Sequence, residues 1–242
     1  MLITAYGNRM RLASFRPETV YVRLGVLRAF AATLGDHRDI TTATRLDVEA
    51  FLARDLKPES RRAYRGHLRA FYSWAIDEGY LTVDPTDRLP TVRVPRAVPR
   101  PIQPDDLRRA VQLASPRMRA WLLLMSLAGL RCIEVAALRP EDVSTTDSGP
   151  LLFLRECKGG GTATVPAHEA VLAALVHLPS RNGLWWTCTP RHVSKHTNHY
   201  LRGVGVAATA HQLRHRAGTD WYEASGHDLL TTMRLLRHAT VA

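Results

Sequence analysis

Lysine is nearly missing from this chain: Lys57, Lys158 and Lys195 are the only three among 33 basic residues, and the other 30 are arginine. Cysteine is scarce as well. Cys132, Cys157 and Cys188 are odd in number and lack metal-site spacing. That excludes a disulfide-stapled secreted scaffold and fits a reduced, intracellular protein. No stretch approaches the ~20 apolar residues that a membrane helix needs. The longest, WLLLMSLAGL, is too short and lies mid-chain. No apolar segment precedes a small-residue cleavage site near Met1, so no secretory signal is expected. Tyrosine is uncommon, and none follows Tyr222.

The chain is rich in positive charge. Its 242 residues carry a net charge of +11, and 45% of them are apolar, enough for one large domain or two small ones. So basic a protein is expected to meet a polyanion, nucleic acid first. Arginine binds phosphate and guanine edges bidentately, which a lysine ammonium does not. A GC-rich genome also raises Arg and Ala together, so the arginine excess alone decides nothing.

Residues 17–35 repeat apolar groups at Val20, Leu24, Leu27, Phe30 and Leu34, a helical period with Pro17 at its start and Gly35 at its stop. A shorter helix is expected over 47–54, and a longer one over 58–77 with Tyr64, Leu68, Phe71 and Ala75 as its apolar stripe. On that helix Arg61, Arg65 and Arg69 fall at i, i+4 and i+8, with Arg62 beside them. Like charges at this spacing repel, which makes a phosphate or groove partner a reason for them; a solvated face is the bland alternative. Residues 84–104 hold six prolines and no helical period, the signature of an extended linker. Arg93, Arg96 and Arg100 lie in it and could touch backbone phosphates. Residues 1–92 have 14 basic against 11 acidic groups, net +3, and residues 93–242 have 19 against 11, net +8.

The second part reads as helices at 104–114, 117–130 and 133–138, then a β-hairpin in LLFLRECKGGGTATVP with a strand at 151–156 and another ending at Pro166. Helices follow at 167–177, 190–202, 211–225 and 228–238.

Within HQLRHRAG, His211 and Arg214 share a helical face. His211 and His215 also have zinc-ligand spacing, but a His-Glu-x-x-His hydrolase needs Glu at 212, where Gln stands. His192, His196 and His199 form another same-face set without a carboxylate. A His/Arg pair without metal suggests acid/base chemistry beside a clamped anion. In AGLRCIEVAALR, Arg131 sits in an apolar turn and needs a partner; Glu134 can be its ion-pair mate, or can support it as a phosphate-binding group.

Together these motifs resemble the tyrosine recombinase (phage integrase) family. GLR-x-x-E-x-x-x-L, the lysine in CKGGGTATVP, H-x-L-R-H and a final His after LL-x occur in the family's order and roughly its spacing. The resemblance covers most of the chain and is that of a minimal form without an arm-binding domain. It implies a mainly α protein. Residues 1–92 would be a helical, SAM-like core-binding bundle, 93–103 a Pro/Arg-rich linker, and 104–242 an α+β catalytic domain with a small antiparallel sheet. It implies that Arg131 and Arg214 hold the scissile phosphate, Lys158 protonates the leaving 5′-oxygen, and His211 shares proton transfer with a tyrosine nucleophile. His238 would donate to the phosphate, with Glu134 and His215 in support. No metal and no cofactor are implied, since two arginines supply the charge and a 3′-phosphotyrosine link conserves the bond energy.

Two departures from the family pattern stand out. Arg237 occupies the place of the usual glycine before the last His, and the tyrosine expected about nine residues after that His is not among the 242. Tyr222 and Tyr200 are not in its position. The expectation is a site-specific recombinase whose 242-residue chain ends before the nucleophile, and so binds DNA without cleaving it. The alternatives are a non-catalytic decoy or repressor derived from a recombinase and, behind it, a zinc hydrolase using His211 and His215; a type IB topoisomerase fits the length and spacing less well. The implied partners are duplex DNA with core-type attachment sites and three further copies in a homotetramer, with no membrane. The implied location is the cytoplasm of a bacterial host, on the nucleoid.

Overall fold

A computed structural model of the chain describes residues 2–35, 37–95, 100–155, 157 and 161–237. They divide into two compact units, Met1–Ala97 and Val98–Ala242.

The first unit holds four α-helices: α1 (Leu2–Leu12), α2 (Pro17–Ala31), α3 (Arg45–Ala53) and α4 (Pro58–Asp77). α1 was not expected. Gly7 and Asn8 weaken its helical propensity, but Leu2, Ile3, Tyr6 and Met10 keep a helical period against the core. Gly7 also lets α2 approach, since a Cβ there would lie 2.9 Å from the Leu24 side chain. α2 stops four residues before Gly35 because the Thr33 hydroxyl takes the Phe30 carbonyl at 2.6 Å. α3 starts on a capping box: Thr44 Oγ1 accepts from the Asp47 N–H, and Asp47 Oδ2 accepts from the Thr44 N–H at 2.7 Å. Phe30, Phe51, Leu68, Phe71 and Tyr72 are fully or almost fully buried, with Phe30 edge-on to Phe51 and Phe71 edge-on to Tyr72. The buried Tyr72 hydroxyl donates to Ile40 O at 2.8 Å.

The second unit contains α5 (Pro104–Gln112), α6 (Pro116–Ser126), α7 (Cys132–Ala137), α8 (Glu169–Val176), α9 (Pro190–Gly203), α10 (Ala210–Ala224) and α11 (Leu229–Leu236). Helices α2, α4, α5, α6 and α9 begin on proline, where a missing N–H costs nothing. Residues 120–126 of α6 are buried on every side, so α6 is the central rod of this core. α7 is tied down by the Trp186 indole, which donates to Val135 O at 2.8 Å.

The sheet has three antiparallel strands in the order β1 (Val143–Thr146), β2 (Gly149–Leu154) and β3 (Ala163–Pro166), not the expected two. β1 is four residues long and mostly polar, with Ser144, Thr145 and Thr146 exposed, so alternation did not reveal it. Its pairing also starts β2 two residues early, with Thr146 opposite Gly149 and Val143 opposite Leu152. Leu152 and Leu154 point into the core while Phe153 points out, and Leu152 faces Val165 on β3. Residues 91–95 and 100–103 of the proline-rich stretch carry neither helix nor strand.

Candidate functional site

Between α6 and α7 the chain turns at Gly129-Leu130-Arg131. Gly129 has φ +59°, and a Cβ on it would lie 2.8 Å from the Trp221 ring of α10 and 3.3 Å from Leu236 of α11. The turn is therefore glycine for two reasons, backbone sign and close approach. Arg131 follows as the N-cap of α7, and Glu134 at the third helical position accepts the Arg131 N–H at 2.7 Å. The same carboxylate accepts from Arg131 Nη1 at 2.9 Å.

α10 brings in the next group. Thr209 caps it with Gln212, whose Oε1 accepts from the Thr209 N–H at 3.0 Å and from its hydroxyl at 3.1 Å. Gln212, where a zinc hydrolase would hold its base, is thus a helix cap. Among the described residues no cluster of three His, Cys, Asp or Glu side chains comes together to hold a metal ion. Arg214, 5% exposed, donates through Nη1 to Gly129 O and through Nη2 to Leu236 O. Arg131 Nη2 also donates toward Leu236 O, at 3.4 Å, and to Arg237 O at 3.1 Å. The Leu236 carbonyl thus joins the two guanidiniums. It reaches them because Gly218 on α10 leaves room for the Leu236 side chain, 2.8 Å from where a Cβ would sit.

α11 starts on an Asp228 cap and ends in the left-handed conformation of Arg237, φ +55°. Arg237 turns back to the same carboxylate, with Nη2 2.7 Å from Glu134 Oε2. Arg214 Nη1 lies 3.7 Å from it. One fully buried carboxylate therefore serves three guanidiniums, and among the described residues the cluster keeps an excess of two positive charges. Burial opposes ionisation of Glu134, but the Arg237 and Arg131 hydrogen bonds and the Arg237 and Arg214 charges outweigh it and hold its pKa below the usual range. Burial, then repulsion from Arg131 and Arg237, pushes the Arg214 guanidinium down to about 9. The described residues of the cluster leave it poorly neutralised, and an anion would relieve it.

His211 lies one helical turn before Arg214, with its ring 4.3 Å from that of His215. Burial and then the Arg214 and Arg131 charges lower the His211 pKa, and burial with His211 and Arg214 lowers that of His215. Both imidazoles are held neutral and able to accept a proton near pH 7. Beside the cluster the Cys157 thiol is raised by burial and then by Glu134. Cys157 N–H donates to Gly161 O at 2.8 Å across the β2–β3 turn.

The structure brings Arg131, Glu134, His211, Arg214 and His215 together from two elements 80 residues apart in the chain. Lys158, His238 and Arg96, also expected at functional surfaces, lie outside the described residues. The arginines of α4 do not share one outward face. Arg61 donates through Nε to Leu52 O at 2.8 Å and through Nη2 to Arg54 O at 3.1 Å, closing the end of α3. Arg65 donates to Leu89 O at 2.9 Å. Arg62, Arg69, Arg93 and Arg100 are exposed. The spacing revealed the stripe, but it could not show the backbone carbonyls that claim two of its members, those at the end of α3 for Arg61 and that of Leu89 for Arg65. Arg237 was legible only as a departure from pattern, and nothing in the sequence pointed to its buried partner.

No family model matches the chain. Tyrosine recombinase XerD of Caulobacter vibrioides is 27% identical in an alignment covering 99% of this chain and 83% of the relative. The integrase of mycobacterium phage Brujita is 27% identical with a TM-score of 0.54, over 99% of this chain and 84% of that one. A lambda integrase tetramer bound to a Holliday junction shares the fold at a TM-score of 0.77 with 18% identity, over 99% of this chain and 76% of that one.

Proposed function

We propose that this chain, which belongs to the tyrosine recombinase family, is a site-specific DNA recombinase of the integrase kind, serving a phage or another mobile element. One observation carries the reading: guanidiniums from the Gly129 turn and from α10 converge on the Leu236 carbonyl, with a net excess of positive charge and a neutral imidazole one helical turn away. In the reaction a tyrosine oxygen attacks the scissile phosphorus, the bond to the 5′-oxygen breaks, and a 3′-phosphotyrosine link forms. Arg131 and Arg214 bind the two non-bridging oxygens and stabilise the charge of the transition state. His211 accepts the tyrosine proton, Lys158 gives one to the leaving 5′-oxygen, and His238 donates to the phosphate. Glu134 and His215 orient these groups. Two arginines supply the charge for which other phosphoryl-transfer enzymes use a metal.

The partner is duplex DNA carrying core-type sites, and the working assembly is a homotetramer, as in the lambda integrase complex on a Holliday junction. Arg62, Arg69, Arg93 and Arg100 are the exposed candidates for backbone contacts, with Arg96 beside them in sequence; Arg61 and Arg65 act by holding their own domain. The setting is the bacterial cytoplasm, on the nucleoid.

Neither tyrosine of the second unit stands as the nucleophile. The Tyr200 hydroxyl donates to Ala110 O at 2.6 Å, and the Tyr222 ring packs edge-on against His227 at 5.0 Å. On this reading these 242 residues bind DNA without forming the covalent link, whether as part of a recombinase or as a decoy or repressor. Binding duplexes are selected from a random-sequence pool, nicked at successive positions and incubated with the 242-residue chain. Retention on the gel without a covalent adduct is expected, and R131Q abolishes it at the selected site. An adduct would overturn the assignment and promote Tyr222 or Tyr200; no retention would remove the DNA reading.

A further inference from the structure

Arg237 stands where the family pattern has glycine, and it adopts the left-handed conformation that glycine accepts most readily, φ +55° and ψ +45°. An arginine there carries a steric cost that glycine would not. The side chain shows what offsets it. Nη2 donates to Glu134 Oε2 at 2.7 Å and to Gly129 O at 2.9 Å, Nε lies 3.4 Å from Glu134 Oε1, and Nη1 donates to Leu235 O at 2.7 Å. The side chain is 10% exposed, and each guanidinium nitrogen has an acceptor. It is not placed to contact DNA.

Each acceptor it uses matters to the clamp. Glu134 is shared with Arg131, and Gly129 O is shared with Arg214. The residue before it, Leu236, offers the carbonyl that both of those arginines reach. With Arg131 and Arg214 alone, Glu134 would cancel one of the two positive charges. With Arg237 present, the cluster keeps two. We propose that Arg237 is a positioning residue: it braces the end of α11 to Glu134 and the Gly129 turn, so that Arg131 and Arg214 are held, and left charged, to grip a tetrahedral phosphate. This rests on the reading of Arg131 and Arg214 as a phosphate clamp.

The probe is inorganic phosphate, titrated into the full chain against potassium chloride of matched ionic strength, with melting followed by tryptophan fluorescence and binding by calorimetry. Wild type and R131Q define the clamp: a saturable phosphate response lost in R131Q is expected. R237G keeps the backbone conformation and should fold, while its phosphate affinity falls at least about tenfold, the scale of a misplaced clamp. R237K restores charge but not the multi-edged fork, so it should not rescue. R237G binding phosphate as wild type does, even with a lowered melting temperature, would reduce Arg237 to a structural cap and overturn the proposal. Full rescue by R237K would overturn it in favour of charge alone. A wild type that responds no more than R131Q would instead remove the clamp reading itself, and the proposal with it.

Discussion

Replacing Glu134 with glutamine probes the centre of the site with almost no change in shape. The carboxylate is fully buried and accepts the Arg131 N–H at 2.7 Å, Arg131 Nη1 at 2.9 Å and Arg237 Nη2 at 2.7 Å, with Arg214 at 3.7 Å. Removing one partner of a buried ion pair costs about 3–5 kcal/mol, because a desolvated charge is left uncompensated. Glutamine keeps one acceptor oxygen, worth about 1 kcal/mol, but turns an N–H₂ toward a guanidinium. The expected loss is about 3 kcal/mol. With an m-value of about 2 kcal/mol/M, the urea midpoint of the second unit should fall by about 1.5 M. Trp121, Trp185, Trp186 and Trp221 report this unit and Trp74 the first, so the two transitions can be separated. The sign of the pH dependence follows from the depressed pKa of Glu134. Its contribution is fully present above the unfolded carboxyl value of about 4.3 and is lost as pH falls through the lower folded value. The gap between wild type and E134Q should thus be constant from about pH 6 to 8 and close in acid. A midpoint within ~0.3 M of wild type at pH 7 would refute the account of Glu134 as the shared counter-charge.

Other expectations follow from the same contacts. R61A should lower the melting temperature of the first unit by about 4–8 °C, from about 1 kcal/mol of lost carbonyl contacts to the end of α3. R62A and R69A should leave it unchanged while each reduces the slope of log affinity for DNA against log salt by about 1; the reverse pattern would show that the structural and the DNA-contacting roles have been exchanged. G129A should cost about 3 kcal/mol in urea unfolding, from the strained backbone and the Trp221 contact together, and a loss under ~1 kcal/mol would mean the turn relaxes freely. His211 and His215 titrate below their unfolded value of about 6.5, so between the two values the unfolded chain binds more protons and stability rises with pH. Urea midpoints from pH 5 to 7.5 should climb and level off in wild type, and stay flatter in an H211Q/H215Q double variant.

The elements legible in the sequence are those whose stability is local. α4 shows its proline start, and of its expected stripe Leu68, Phe71 and Ala75 are buried, with Tyr72 buried where Tyr64 is only half-buried; its limits, Pro58–Asp77, match the expected 58–77. α9, which also starts on proline, and α10, which starts on the Thr209 and Gln212 cap, come within a residue of expectation. β1 fails the same reading because Ser144, Thr145 and Thr146 face solvent; only pairing with β2 makes them a strand. α1 is hidden by Gly7, whose lack of a side chain weakens the helix in isolation and is what its contact with Leu24 requires. α6 ends at Ser126, before the apolar run does, because the chain must turn at Gly129 to present its carbonyl.

The same division runs through the site. Arg131, His211 and Arg214 are side chains, and their spacing is visible along the chain. Their acceptors, Gly129 O and Leu236 O, are backbone atoms, which no residue pattern encodes. What encodes them is indirect: Gly129 and Gly218 are small where Trp221 and Leu236 must come close. Arg237 follows the same logic. At a left-handed helix end glycine is sufficient, so a large charged residue there needs a partner strong enough to hold it. Glu134 is that partner, buried and already engaged with Arg131. A departure from an expected glycine is therefore explained by a contact between chain segments 103 residues apart, which only the folded structure could identify.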